Sequence, residues 1–244
     1  MAHFTRSAAL WLAGGVGFAA ASYTACVGFI WLRYGHPAHP TGEDADPMLD
    51  QFIPLYEVAE RHHVRIAAPA EVTLAAATET DLQQSAIIRA IFKGREWIMG
   101  SRAGHDQMPR AFLSQMRAIG WGMLSEIPGR EIVMGAVTQP WVANVAFRSL
   151  LPNEFAMFHE PGYVKIAWTL RADPINATES IFRTETRVAT TDPAARAKFR
   201  RYWSCFLPGI TLIRRVSLGL VKTEAERRVQ EAKYKQSTAE LRRI

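Results

Sequence analysis

The pattern of apolar and polar positions changes period once near the C-terminus, and that change sets the first expectation about the fold. From Ser180 to Thr190 the chain alternates and is rich in threonine, as an extended strand would be. After Asp192 and Pro193 the apolar positions recur every three or four residues. Asp192 predicts a helix cap, and Pro193 suits the first helical position, where its missing N–H is not needed. Phe199, Tyr202, Trp203, Phe206, Ile210, Ile213, Leu220 and Val221 then share about one third of the circumference of a long helix. Arg200, Arg201, Arg215 and Lys222 fall on the other face, with Arg196 and Arg214 at its flank, and the whole set reads as solvated. Pro208 and Gly209 predict a kink or break. Beyond Thr223 the chain is nearly all polar and would fray or continue as a solvated helix.

Upstream, Val58, His62, Val64 and Ile66 alternate with Arg61, His63 and Arg65, which predicts a strand with one buried face. His62 falls on the apolar side. Pro69 and Glu71 open an alanine-rich helix to Thr78. Asp81 suits the cap of a second helix carrying Ile87, Ile88, Ile91 and Phe92, which Trp97 and Ile98 extend. A polar break from Gly100 to Pro109 precedes a short helix, Ala111 to Ala118. Strands follow at Gly120–Ile127 and Glu131–Thr138, joined by the turn pair Pro128 and Gly129. Gln139 to Asn153 is apolar at Trp141, Phe147, Leu150 and Leu151 without a clear period. A turn near Glu160 and Gly162 opens an amphipathic strand from Tyr163 to Arg171. In it Val164, Ile166, Trp168 and Leu170 alternate with Lys165, Ala167 and Thr169. Asp173 to Thr178 reads as the turn to the partner strand, Ser180–Thr190.

At the other end, Ala8 to Leu32 is an uncharged apolar run of 25 residues between Arg6 and Arg33. As a helix it would rise roughly 37 Å, enough to cross a hydrocarbon core of about 30 Å. Trp31 and Tyr34 stand where an interfacial aromatic belt would be. Ala19 to Ser22 has the small residues of a signal-peptide cleavage site, but Val27–Leu32 prolongs the apolar run and favours a retained, single-pass anchor in a membrane. One arginine on either side leaves the orientation open. Ala13, Gly17, Ala21 and Ala25 form a small-residue ridge at four-residue spacing, compatible with self-association, although an Ala/Gly-rich segment produces such ridges by chance. Gly35 to Asp46 reads as a linker, and His36 and His39 within it as a flexible pair without metal.

Composition narrows the function classes. The chain of 244 residues is 21% charged and 48% hydrophobic, which sets most of it apart from disordered sequences. A net charge of +6 is spread along the chain with no Lys/Arg block, so nucleic acid is not an expected partner. Two cysteines, Cys26 and Cys205, make neither a disulfide framework nor a thiolate metal site. Gly14, Gly15 and Gly17 lie inside the apolar run and form no phosphate loop; no Walker lysine, His-Glu-x-x-His or Gly-x-Ser-x-Gly occurs. No cofactor is expected. Arg183, Glu185 and Arg187 share one face of the last strand; they could hold a head group but read more simply as cross-strand ion pairs on a solvated face. His159 and Glu160 are the best acid–base couple that the spacing offers, and a weak one. Asn176 and Thr178 match a glycosylation sequon with no supporting context.

The order strand, helices, antiparallel meander, long C-terminal helix resembles the helix-grip fold of the START/SRPBCC superfamily, which includes polyketide cyclases and lipid-transfer proteins. The residues that carry the resemblance are His63–Glu71 (HVRIAAPAE), Gly162–Trp168 (GYVKIAW), Thr184–Val188 (TETRV), and Phe199 with Tyr202 and Trp203. It covers roughly Val58 to Glu226. The fold class it implies is α+β, a curved antiparallel sheet wrapped around the C-terminal helix, here with one N-terminal transmembrane helix added. The corresponding division is an anchor at 1–34, a juxtamembrane linker at 35–55, a helix-grip domain at 56–226 and a polar tail at 227–244. The resemblance implies a hydrophobic cavity between sheet and helix and places no catalytic residue. The cavity-lining candidates are His62, Val64, Trp168, Phe182, Phe199, Tyr202, Trp203 and Phe206. The expected partners are the lipid bilayer and a hydrophobic small molecule, bound without reaction. The other readings are a cofactor-free cyclase or hydrolase using polar cavity groups such as His62, and an interaction module with a filled interior.

Overall fold

The computed structural model describes residues 2–38, 40–42, 45–100 and 109–241. His39 and most of the predicted break from Gly100 to Pro109 lie outside the described residues. The elements are α1 (Ala2–Arg33), α2 (Pro47–Asp50), β1 (Val58–Ile66), α3 (Ala70–Glu79), α4 (Ala86–Met99), α5 (Phe112–Ala118), β2 (Gly122–Ile127), β3 (Glu131–Thr138), β4 (Phe147–Arg148), α6 (Pro152–Met157), β5 (Val164–Asn176), β6 (Glu179–Thr190) and α7 (Pro193–Leu241). The strands form one antiparallel sheet in the order β1-β6-β5-β3-β2, with β4 added alongside β3. An antiparallel sheet covered on one face by a long C-terminal helix is the α+β helix-grip arrangement that the sequence suggested.

The inner face of the sheet packs on α3, α5 and α7. Ile66 of β1, Ile132 and Met134 of β3, Trp168 and Leu170 of β5 and Phe182 of β6 meet Leu74, Leu218 and Val221 there. Near the start of α7 a second inner cluster joins Val58, Val164 and Val188 to Phe199, Trp203 and Tyr34. Asp192 caps α7 as its side chain predicts, accepting the N–H groups of Ala194 and Ala195 at 2.8 and 3.0 Å.

Several expectations need correction. The outer face of the sheet is not solvated. Leu49, Phe52 and Ile53, from the stretch expected to be linker, pack with Phe155 of α6 on Leu124, Val133, Val137 and Ala167. Every residue of β3 is therefore buried, and on β5 Lys165, Ala167 and Thr169 are as covered as the residues between them. Glu185 and Arg187 lie beneath the same cover. The Arg187 guanidinium donates to Glu185 at 2.7 Å and to the Ile53 carbonyl at 3.2 Å, pairs with Asp50, and stacks over Tyr56. Glu185 also accepts from Arg61 at 2.7 Å. A buried ion pair survives only with its remaining hydrogen bonds satisfied, and the linker stretch satisfies them.

The turn expected at Asp173–Thr178 shrinks to its last residues, because β5 runs through Pro174 to Asn176 with an irregularity before β6. Strand β2 starts at Gly122, two residues later than expected. Asp81 caps a 3-10 turn at Leu82–Gln84, and the Oγ of Ser85 accepts the Ile88 N–H to cap α4. Pro69 stands at the cap of α3, one position before its first turn. Helix α7 continues unbroken past Pro208 and through the supposed tail to Leu241. One lost N–H bond is a small part of a 49-residue helix. Its polar end is tied by ion pairs of Glu224 with Arg227 and Arg228 at 2.8 and 2.7 Å.

Helix α1 is one continuous helix spanning the whole apolar run, and its described residues from Gly17 to Cys26 are exposed. Among the described residues it meets the domain along its last third, from Tyr23 onward. Arg200 donates to the Trp31 carbonyl at 2.6 and 3.1 Å and lies 4.2 Å over the Trp31 ring, while the Tyr23 hydroxyl donates to the Cys205 carbonyl. The basic face of α7 is thus partly an attachment surface for α1. At Gly17 no atom lies within 4 Å of where a Cβ would stand, so the ridge has no neighbour within the chain there.

Candidate functional site: a cavity beneath the C-terminal helix

A cavity of about 340 Å³ lies between the inner face of the sheet and α7, bordered by residues of α3, α4 and α5. Its volume falls in the range of small-molecule sites, roughly 300–1,000 Å³. The sheet supplies Ile166, Trp168, Leu170, Phe182, Thr184, Thr186 and Val188, all from alternate positions on β5 and β6. The period-two pattern aims them at one face. From α7 come Phe199, Tyr202, Trp203, Ile210, Ile213 and Leu218. Trp168 and Trp121 meet edge to face at 5.7 Å, and Phe112 lies 5.5 Å from Trp168, so one wall is a fixed aromatic cluster.

Of the eight residues expected to line a cavity, Trp168, Phe182, Phe199, Tyr202 and Trp203 do so. Val64 packs against the hydrophobic cluster beside the cavity, and Phe206 stacks on Tyr202 at 4.8 Å. His62 borders a small polar crevice with Arg61, Arg183 and Glu185; its buried Nε2 lies 3.5 Å from the Glu60 carboxylate and makes no hydrogen bond among the described residues. These three are placed beside the cavity and not in its lining. His159 and Glu160 are exposed and apart from it: His159 Nδ1 meets the Met157 carbonyl at 2.8 Å, and Glu160 pairs with Arg148 at 2.8 Å. Among the described residues no cluster of three or more His, Cys, Asp or Glu could hold a metal.

Two features of the site were not foreseen. The first is Arg214, assigned by pattern to the flank of a solvated face. It lines the cavity, and its guanidinium donates to the Thr186 Oγ1 at 2.8 Å. Its Nε is buried with no hydrogen-bond partner among the described residues. Arg214 is half-buried and borders the cavity. Desolvation pushes its pKa down to about 10, and the carboxylate of Glu60 opposes this through space. It remains a cation at neutral pH. The second lies on α4. Phe92 lines the cavity and is exposed, and Ile87, Trp97 and Ile98 on the same helix are exposed with it.

A second cleft, about 380 Å³, lies where α1 meets the domain, between Phe29, Ile30, Arg33 and Tyr34 and the start of β1, with Trp203 and Leu207. It belongs to the attachment of α1.

No family model matches the chain, and no curated protein matches it. Among solved structures it is similar to the Zhui aromatase/cyclase from a Streptomyces species, with 16% identity over 70% of this chain and 95% of that one, at a TM-score of 0.25. It is also similar to norcoclaurine synthase from Thalictrum flavum in complex with dopamine and hydroxybenzaldehyde, with 10% identity over 80% and 98% and a TM-score of 0.30. With the di-domain ARO/CYC BexL the identity is 13% over 69% of this chain at a TM-score of 0.28, and the match spans 46% of BexL, under half its length. Likeness at this level assigns the chain to no family, and the site is read from its own residues.

Proposed function

We propose that the chain is a membrane-anchored binding protein that holds a hydrophobic small molecule, lipid-like or polyaromatic, between the sheet and α7. The observation that carries this reading is the cavity itself: about 340 Å³ of space walled by Trp121, Trp168, Phe182, Phe199 and Trp203, on a sheet whose outer face is packed. Its size and apolar, aromatic lining are those of a small-molecule site. The anchor is α1, uncharged from Ala8 to Leu32 and held to the domain along its last third, from Tyr23 to Trp31. The exposed apolar residues of α4 stand beside the cavity at Phe92, which favours a ligand reached from a bilayer.

The cyclase or hydrolase reading lacks support of its own, since His62 is outside the lining and, among the described residues, the polar groups in it present no nucleophile beside a base. The interaction-module reading requires a filled interior.

The test is quenching of tryptophan emission by a brominated alkane in the detergent-solubilised full chain. Saturable quenching is expected, since Trp121, Trp168 and Trp203 line the cavity. Ser217→Phe, which places a ring in the cavity from α7, should lose the saturable component. Equal quenching of both proteins, linear in the alkane, would refute the cavity as a binding site.

A further inference from the structure

Arg214 is the one feature of the cavity that apolar binding does not explain. A guanidinium taken from water costs several kcal/mol unless it is paired and fully hydrogen-bonded. Elsewhere in this chain the rule is kept: buried Arg187 has Glu185, Asp50 and the Ile53 carbonyl. Arg214 has a single neutral partner, the Thr186 hydroxyl; its Nε is buried and unpaired, and no carboxylate pairs with it among the described residues. The nearest acid in effect is Glu60, acting through space, and Glu60 lies within 3.5 Å of the buried His62 ring. Among the described residues the rest of the lining is uncharged: its polar members are Gln83, Gln115, Thr184, Thr186, Tyr202 and Ser217, and the Ser217 hydroxyl donates to the Ile213 carbonyl at 2.8 Å. Among the described residues the site therefore presents one positive charge to a mostly apolar cavity, and lacks the second charge that a phosphate dianion would need.

We propose that Arg214 is the head-group site of this cavity, and that its ligand is a monoanionic amphiphile whose carboxylate accepts from the Arg214 guanidinium while its hydrocarbon lies against Trp168, Phe182 and Ile213. The inference rests on the cavity reading and narrows it from any hydrophobic molecule to a long-chain or polycyclic carboxylic acid. The ligand completes the ion pair that the fold leaves open, and the binding free energy of the head group includes the relief of that buried charge.

The experiment compares dansylaminoundecanoate, a fluorescent fatty acid, with its methyl ester. Both are titrated into the detergent-solubilised full chain and followed by dansyl emission excited through tryptophan. The acid should bind at least about tenfold more tightly than the ester, the usual margin of a charge-assisted hydrogen bond. In Arg214→Met the two should bind within about twofold of each other, at the affinity of the wild-type ester, which also shows that the cavity is intact. Equal binding of acid and ester by the wild type overturns the head-group site and leaves the apolar cavity standing; this arm needs no variant to fold. An undiminished preference for the acid in Arg214→Met overturns it as well. Saturable binding of neither probe refutes the cavity reading itself, and the head-group site with it.

Discussion

Glu131 shows how single residues in this fold carry conditions with them. It is buried at the start of β3, with one carboxylate oxygen lacking a hydrogen bond among the described residues. Burial first, and then the charge of Asp46 beside it, push its pKa up to about 7, with Arg171 offsetting part of the rise. Between the ordinary 4.5 and that value the folded state holds a proton that the unfolded state has released. Its contribution to stability is therefore whole below the ordinary value and is lost as pH rises towards about 7, a decline of about 3 kcal/mol. Glu131→Gln should remove that decline. Denaturant unfolding at about pH 5 and about pH 8 should show the variant gaining on the wild type at the higher pH; a constant difference between the two proteins would contradict it. Arg214 and the Glu185–Arg187 pair were less legible in the sequence. Strand parity correctly put Glu185 and Arg187 on one face, but nothing local announces that residues 130 positions away will cover it. Arg214 did leave a signal. It stands four residues from both Ile210 and Leu218 and seven from Val221, inside the apolar stripe, and a long polar side chain there is easily assigned to the nearest solvated edge.

Elements were read best where the period was long and uninterrupted. Strands β1, β3 and β6 and helices α1 and α7 follow patterns of eight residues or more. The failures are short or doubly buried. Helix α6 has six residues, less than two turns, too few for a helical period to show. The outer cover of the sheet hides in a stretch rich in Pro, Gly and acids, where only Leu49, Phe52 and Ile53 hint at packing. Close packing of that layer makes a sharp prediction at Gly135. A Cβ there would lie 2.4 Å from Leu124 Cδ1 and 3.1 Å from Phe155 Cε2. Gly135→Ala should therefore destabilise the domain by about 1–3 kcal/mol in denaturant unfolding, although alanine suits a strand no worse than glycine; an unchanged midpoint would mean that the outer layer is loose. For α1 the prediction concerns insertion. The full chain should stay with membranes through an alkaline wash, and Gly17→Arg combined with Ala21→Arg, each charge costing about 2.5–3.5 kcal/mol at a helix centre, should release a substantial fraction. Complete release of the wild type would remove the anchor from the account.

At the scale of the whole molecule, one sheet serves two purposes. Its outer face carries the cover of α2, α6 and the stretch between α1 and β1, which holds the buried ion pairs and the tight packing at Gly135. With that side filled, the inner face can leave a space under α7 without losing the sheet's register. The sequence showed the aromatic residues on both walls of that space and could not show the space, because a stripe that fills a core and a stripe that lines a cavity have the same period. Function follows from the difference. The most direct measurement is native mass spectrometry of the full chain released from detergent, with organic extraction of what it carries. A bound apolar molecule bearing one carboxylic acid is expected, present in the wild type and absent from Ser217→Phe. A wild-type chain that is folded and carries nothing, and that takes up no fatty acid added in excess, would contradict it.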